Sequence, residues 1–413
     1  MRILYLLHQF YPEYGAGTEK FVFNLARMNQ KAGRTVKVVT YSFYQDSYYQ
    51  GRTGNVLTRD FVFEGVEVLA LKHLRAPSDI HLSLKNRDIA AIGKELIRRE
   101  RPDIVHIGHS MRVAELVRAA KSLRIPYVLT LTDFFLICPK VNLMNSKGEL
   151  CGGPRGGRNC REMCSELPGG MIRRRLKVGK EILLGAKRVV APSRFVGGVF
   201  RGEYDNIDVQ TIHHGLSCKT IGRNTKIYNK GSLITACYAG SLNVHKGVHV
   251  LVEAFRNTRS ENLRLRIYGS GHDQEYIGML KRMAEGDKRI QFSGVFSEEE
   301  SAGVYRDSDL VIVPSVCYET YSLVLHEALA CNVPVIASNA GALAERITHG
   351  EDGFLFQLGD SNQLSSILEM IAAKPEVLND LKKNIDRQAV PSVEQEAVSY
   401  EKVYQDAMRR NEG

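Results

Sequence analysis

Apolar positions along this chain fall into two alternating patterns. Short, nearly uninterrupted runs of Val, Ile, Leu and Tyr stand at 3–8, 36–41, 66–71, 104–107, 127–131, 189–191 and 209–212. Between most of them, at 18–32, 83–100, 110–123 and 193–201, apolar residues recur with the spacing of a one-faced helix. The theme repeats with runs at 234–238, 265–268, 290–292, 310–313, 335–337 and 354–356. Strands that are apolar throughout belong to parallel sheets covered by helices on both sides. The pattern therefore predicts an α/β protein of two doubly wound, Rossmann-like domains. A polar stretch without period, 219–231, separates the two series and reads as a linker, dividing the chain into 1–218 and 219–394. The segment 395–413 reads as an amphipathic helix with Val398, Tyr400, Val403, Tyr404 and Met408 on one face, able to cross back over the first domain.

Length and composition agree with this division. At 413 residues the chain exceeds the size at which one hydrophobic core keeps growing. With 44% apolar and 25% charged residues it reads as a globular chain. No apolar run approaches the roughly 20 residues of a membrane-spanning helix. Residues 2–8 lack a small-residue cleavage site and read as a first buried strand, so a cytoplasmic location is expected.

The loops after the strands carry the candidate chemistry. In Glu319-Thr-Tyr-Ser-Leu-Val-Leu-His-Glu327 a strand leads into a short loop, then into a helix that Thr320 or Ser322 can cap, with Glu327 expected on its third turn. The amides near Tyr321, Ser322 and Leu323 would favour an anion. The two carboxylates would repel a phosphate but accept hydrogen bonds from the hydroxyls of a sugar or ribose. The loop Ala239-Gly-Ser-Leu-Asn-Val-His-Lys-Gly247 places Lys246 just before a helix, where an ammonium suits a diphosphate leaving group. Gly269 and Gly271 follow the next strand and allow backbone to approach a nucleoside. Near the N-terminus, Tyr14-Gly-Ala-Gly-Thr-Glu19 opens a helix, with Gly15 and Gly17 at its start. No Gly-x-Gly-x-x-Gly occurs there and no acidic residue ends the next strand, which disfavours a nicotinamide dehydrogenase.

Taken together, these stretches resemble glycosyltransferase family 4, the retaining nucleotide-sugar transferases of GT-B fold, over essentially the whole chain. The resemblance implies two domains facing a cleft, with the first on the acceptor side and the second holding a nucleotide-diphosphate sugar. It implies that Glu319 contacts the donor sugar, Glu327 the ribose hydroxyls and Lys246 the diphosphate. Gly15 and Gly17 match the family's N-terminal loop, and Pro192-Ser-Arg-Phe195 makes Arg194 a further candidate. Two positions depart from the family. Thr132-Asp133 stands where His-Asp is frequent, so Asp133 becomes the better catalytic candidate. Ser241 follows Gly240 where an arginine usually assists the lysine. The implied reaction needs no catalytic cofactor: the acceptor hydroxyl attacks from the face the leaving group departs, and a β-phosphate oxygen takes its proton. The implied acceptor is a glycan or lipid-linked glycan, in cell-surface polysaccharide or glycoconjugate synthesis. A sugar-nucleotide epimerase of related architecture is the enzymatic alternative.

Charge and cysteines add two expectations. Of the net +10, the excess lies in residues 1–218, with 34 Lys and Arg against 20 Asp and Glu. The stretch 171–188 mixes seven cations with Leu and Ile, although Gly179 and Gly185 interrupt it, and reads as a basic interfacial helix. An anionic membrane surface is the expected partner, with the protein peripheral at its inner face. A non-catalytic nucleic-acid binder is the other reading of the basic half. It is disfavoured because regular aromatic interleaving is missing. Cys138, Cys151, Cys160 and Cys164 crowd a Gly-rich loop, 138–164, and read as a structural zinc clip, with an iron–sulfur site or free thiols as the alternatives. Cys218, Cys237, Cys317 and Cys331 are scattered.

Overall fold

The computed structural model describes residues 1–217, 222–385 and 390–409. The expected boundary at 218/219, with Cys218, lies outside them. The chain divides into two compact units: Met1–Gly215 together with the segment that begins at Val393, and Leu216–Ser392.

Unit 1 contains strands β1 (Arg2–Leu7), β2 (Thr35–Tyr41), β3 (Gly51–Thr53), β4 (Val56–Phe63), β5 (Val66–His73), β6 (Ile104–Ile107), β7 (Tyr127–Thr130), β8 (Arg188–Ala191) and β9 (Val209–Thr211). They form one sheet in the order β3-β4-β5-β2-β1-β6-β7-β8-β9. From β5 to β9 every pairing is parallel, as the apolar runs predicted. The exception is the edge: β4 returns antiparallel to β5, and β3 antiparallel to β4. The β4–β5 hairpin turns at Glu64 and Gly65, both at positive φ (43° and 84°), as a two-residue turn of the primed type requires. Helices α1 (Gly17–Lys31), α2 (Arg87–Glu100), α3 (Ala114–Ser122), α4 (Arg158–Met163), α5 (Gly169–Gly185) and α6 (Arg194–Glu203) connect or flank these strands.

The glycines expected to weaken α5 instead let it pack. A Cβ at Gly179 would lie 2.4 Å from the carbonyl oxygen of Leu136, and one at Gly185 would lie 2.3 Å from the Tyr127 hydroxyl. Arg175, read as part of the basic face, is buried. Its guanidinium donates to the carbonyls of Leu82 and Phe135 and lies 4.0 Å over the Phe135 ring. Arg173, Arg174, Lys177, Lys180 and Leu184 remain exposed on the opposite face.

Unit 2 contains β10 (Ile234–Ala239), β11 (Leu263–Tyr268), β12 (Ile290–Gly294), β13 (Leu310–Val313), β14 (Val335–Ser338) and β15 (Gly353–Phe356). They are paired in parallel in the order β12-β11-β10-β13-β14-β15. Helices α7 (Val248–Asn257), α8 (Gln274–Ala284), α9 (Glu298–Arg306), α10 (Leu323–Ala330), α11 (Gly341–Arg346), α12 (Ser361–Ala373) and α13 (Val377–Ile385) accompany them. The described part of the expected linker is packed rather than free. Tyr228 is fully buried in the core of unit 2, and its hydroxyl and the Lys226 ammonium both bond to Asp309 (3.0 and 2.8 Å).

After unit 2 the chain returns to unit 1 as α14 (Val393–Arg409). Its inner face is held by a buried polar chain. Tyr404 hydroxyl meets Tyr5 hydroxyl (3.1 Å) and His106 Nδ1 (2.7 Å), and Thr130 Oγ1 meets both His106 Nε2 and Tyr400 hydroxyl (each 2.8 Å). Glu396 accepts from the Gly215 amide (2.9 Å) and lies 2.9 Å from His214 Nδ1. Among the described residues no helix is long and apolar enough to cross a membrane.

Candidate active site

In unit 2 the chain winds outward from β10 through β11 to β12 on one side and from β13 through β14 to β15 on the other. The switch point therefore lies between β10 and β13, and ligands of open parallel sheets sit beyond the carboxyl ends of the strands at such a point. The loops carrying Lys246 and Glu319 both leave from there. Lys246 Nζ donates to Glu319 Oε1 at 2.7 Å, and Ser315 Oγ donates to the same oxygen at 2.6 Å. Burial opposes the charge on Glu319, but the Lys246 ammonium and the two hydrogen bonds outweigh it and hold the carboxyl below its usual range. Burial likewise opposes the ammonium, and Glu319 more than offsets it, raising Lys246 above its usual value.

Gly247 makes this contact possible. It sits at φ 70°, and a Cβ there would lie 1.9 Å from the Pro314 carbonyl oxygen. The loop after β10 thus presses its backbone onto the loop after β13, and Val316 N donates to His245 O at 2.9 Å. Sequence reasoning used neither Gly247 nor Ser315 in this way. The signal for both was their place at strand carboxyl ends.

The helix starts after Ser322, one of the two expected caps, but Glu327 lies one turn earlier in it than expected. Ser322, at φ 68°, is the cap, its Oγ accepting from Leu325 N at 3.4 Å. Thr320 and Tyr321 stay outside α10, so Glu327 lies on its second turn. Glu327 Oε2 accepts from the Tyr305 hydroxyl at 2.8 Å, a partner on α9 that no linear motif announced. Tyr321 is buried and its ring stacks on His326 at 3.8 Å, while His326 Nδ1 donates to the Ser322 carbonyl at 2.9 Å. Gly269 and Gly271 first serve loop packing. Cβ atoms there would lie 1.8 Å from Gly240 O and 2.4 Å from Leu242 O.

The other candidates belong to unit 1. Gly15 and Gly17 are exposed at the start of α1, and a Cβ at Gly15 would meet the Tyr11 ring at 2.5 Å. Arg194 is exposed as the first residue of α6. Asp133 follows β7, with Oδ1 accepting from Phe135 N at 2.8 Å and Oδ2 lying 2.5 Å from His109 Nε2. His109, two residues beyond β6, belongs to no motif with Asp133, because 24 residues separate the two.

The expected zinc clip finds no support. Cys151, Cys160 and Cys164 are buried and Cys138 is half-buried, all as free thiols. Among the described residues no group of three or more His, Cys, Asp or Glu is disposed to hold a metal ion. Burial, then the neighbouring sulfurs, pushes the Cys160 thiol up to about 12, and burial also raises Cys138. The loop is closed by other means: the Met144–Leu150 bridge, the bond from Cys151 N to Leu143 O (2.7 Å), and a Lys140–Glu166 ion pair (3.0 Å).

Comparison with known proteins places these features in a family. The family described as Glycosyl transferases group 1 matches residues 223–388, and that described as Glycosyltransferase Family 4 matches residues 15–219. A lipopolysaccharide 1,2-N-acetylglucosaminetransferase from Salmonella typhimurium is 27% identical over 185 residues, 40% of this chain and 48% of the relative. A D-inositol 3-phosphate glycosyltransferase from Pseudarthrobacter chlorophenolicus is 32% identical over 197 residues, 44% of this chain and 47% of the relative. The chain thus spans about half the length of these curated relatives. Two solved structures share the fold almost end to end. Anabaena HepE in complex with UDP and glucose has TM-score 0.70 and 16% identity, with 98% of this chain and 99% of that one covered. Sucrose-phosphate synthase from Thermosynechococcus elongatus has TM-score 0.73 and 19% identity, with 99% and 100% covered.

Proposed function

The chain is a glycosyltransferase of the family-4 type with the GT-B fold, and on that premise we propose that it is a retaining enzyme moving a sugar from a nucleoside diphosphate sugar to a glycan hydroxyl. The observation that carries this reading is the Lys246–Glu319–Ser315 contact at the switch point of unit 2, with the Tyr305–Glu327 pair on the neighbouring helices. An ammonium has three donors, and one is given to Glu319. The remaining two suit the oxygens of a departing diphosphate, and the start of α10 adds backbone amides. Glu327, held by Tyr305, is assigned to the ribose hydroxyls, and Glu319 to the donor sugar. Bond making between acceptor oxygen and anomeric carbon accompanies loss of the anomeric carbon–phosphate bond on the same face, and the acceptor proton passes to the leaving phosphate.

A lipid-linked glycan at an anionic membrane surface is the acceptor class we infer, within cell-surface polysaccharide or glycoconjugate synthesis. The support is the exposed face of α5, where Arg173, Arg174, Lys177 and Lys180 stand beside Leu184, itself 51% exposed. Gly269, Gly271, Gly15, Gly17 and Arg194 are assigned to the walls of the donor and acceptor sites. A screen of UDP-, GDP- and ADP-sugars tests the reading by melting temperature and nucleotide release. At least one should raise the melting temperature and release nucleotide. Neither effect with any sugar nucleotide would refute the donor assignment.

A further inference from the structure

Unit 1 has a switch point of its own. Its chain winds from β1 through β2 to β5 on one side and from β6 through β7 to β9 on the other, so the point lies between β1 and β6. A histidine follows each of these strands, His8 directly after β1 and His109 two residues beyond β6, and their rings stack with centroids 3.8 Å apart, at 27°. Gly108 permits it, because a Cβ there would lie 2.6 Å from side-chain atoms of both Leu7 and Val22. Two carboxylates complete the cluster. Asp133 accepts from His109, and Glu19, 1% exposed on α1, lies 3.8 Å from His8 Nε2.

The hydrogen bonds fix the state of His109. Met111 N donates to its Nδ1 at 3.1 Å, so that nitrogen is an acceptor and Nε2 carries the hydrogen given to Asp133. His109 therefore has no lone pair left for a ligand, and Asp133, with its side chain 27% exposed, is the group that meets one. Two buried atoms of the same cluster, His8 Nδ1 and Glu19 Oε1, have no hydrogen-bond partner. Burial, with the Arg112 guanidinium, holds His8 well below its usual value, while Arg112 is engaged with the carbonyl of His8 (2.9 Å) and with His81 Nδ1 (2.7 Å). Burial raises Glu19 above the usual carboxyl range, which leaves the partly exposed Asp133 carboxylate as the group that attracts hydroxyl donors.

We propose that His109 is a positioning residue of an acceptor-hydroxyl subsite at the switch point of unit 1, where it fixes the Asp133 carboxylate to receive a sugar hydroxyl beside the His8 ring. The proposal rests on the transferase reading above. It assigns His109 no proton transfer.

The test uses the full chain, the sugar nucleotide selected by the thermal screen and methyl hexopyranosides as acceptor probes. His109→Ala should raise the acceptor KM at least tenfold and leave the donor KM and the nucleotide-induced melting shift as in the wild type. His109→Gln, whose amide can still donate to Asp133, should recover most of the loss. An unchanged acceptor KM in His109→Ala, or equal losses in the two variants, would overturn the proposal. Nitrogen shifts of labelled histidine provide a readout independent of turnover: the Nε2–H tautomer is expected for His109, and the Nδ1–H tautomer would also overturn it. Failure of the transferase reading would look different, since the wild type itself would then show neither melting shift nor nucleotide release.

Discussion

At the scale of single residues, Lys246 and Glu319 depend on each other. Each is partly withdrawn from water, and each offsets the burial cost of the other. Lys246→Ala removes the ammonium assigned to the diphosphate and strands Glu319. Turnover with the intact donor should fall at least ~10²-fold, by analogy with loss of one oxyanion donor. A loss below tenfold in steady-state assays would mean that another cation carries the role. Glu327→Ala should instead weaken nucleotide binding, read directly by titration calorimetry, whereas Glu319→Ala should act mainly on turnover; identical profiles for the two would undo the assignment. Both glutamates were legible in the sequence because a strand, loop and helix hold them in one short segment. Ser315, Tyr305, Gly247 and His109 were not. What brings Tyr305 to Glu327 and His109 to Asp133 is strand order and helix packing, which no local spacing encodes.

At the scale of elements, periodicity found the parallel strands and the returning C-terminal helix, but not what fastens that helix. The spacing places Val403 and Tyr404 on one face of an amphipathic helix, and Tyr404 there is the polar link between α14, Tyr5 and His106. Tyr404→Phe keeps the ring and removes the hydroxyl, leaving the His106 nitrogen without its partner. It should destabilise unit 1 by about 1–3 kcal/mol in denaturant titration, and a change within error would show that the link is dispensable. The β4–β5 hairpin escaped the sequence reading because Glu-Gly is not among the usual turn pairs, although Gly65 at positive φ completes the turn. In α5 the reverse happened: cations were counted together, while burial sorts Arg175 inward from Arg173, Arg174, Lys177 and Lys180. Each surface cation near an anionic bilayer contributes about 1 kcal/mol, so replacing the four exposed ones by Gln should abolish sedimentation with anionic vesicles at low salt. Equal binding of wild type to anionic and neutral vesicles would exclude an electrostatic attachment.

At the scale of the whole molecule, each unit closes its own hydrophobic interior on its own sheet, and that of unit 1 contains Tyr400, Val403 and Tyr404 from α14. Unfolding of such a chain is not bound to a single two-state transition, and each unit carries its own handle. The handle in unit 1 is His106, fully buried between Tyr404 and Thr130, which burial lowers from 6.5 to about 3. Between those values the unfolded chain binds a proton that the folded one refuses. This contribution is therefore fully present above pH 6.5 and is lost as pH falls towards 3. At pH 5 the loss should be about 2 kcal/mol. The handle we assign to unit 2 is the nucleotide, which at a hundredfold excess over its Kd should stabilise the unit proposed to bind it by about 2.7 kcal/mol. Calorimetry of the full chain should resolve two components, since acid shifts the one that Tyr404→Phe also shifts, and nucleotide shifts the other. In His106→Asn the acid-sensitive component should fall less steeply between pH 7 and pH 5 than in the wild type. A single component that follows acid, nucleotide and Tyr404→Phe alike would show that the two cores unfold as one, and the separate handles would then have no meaning.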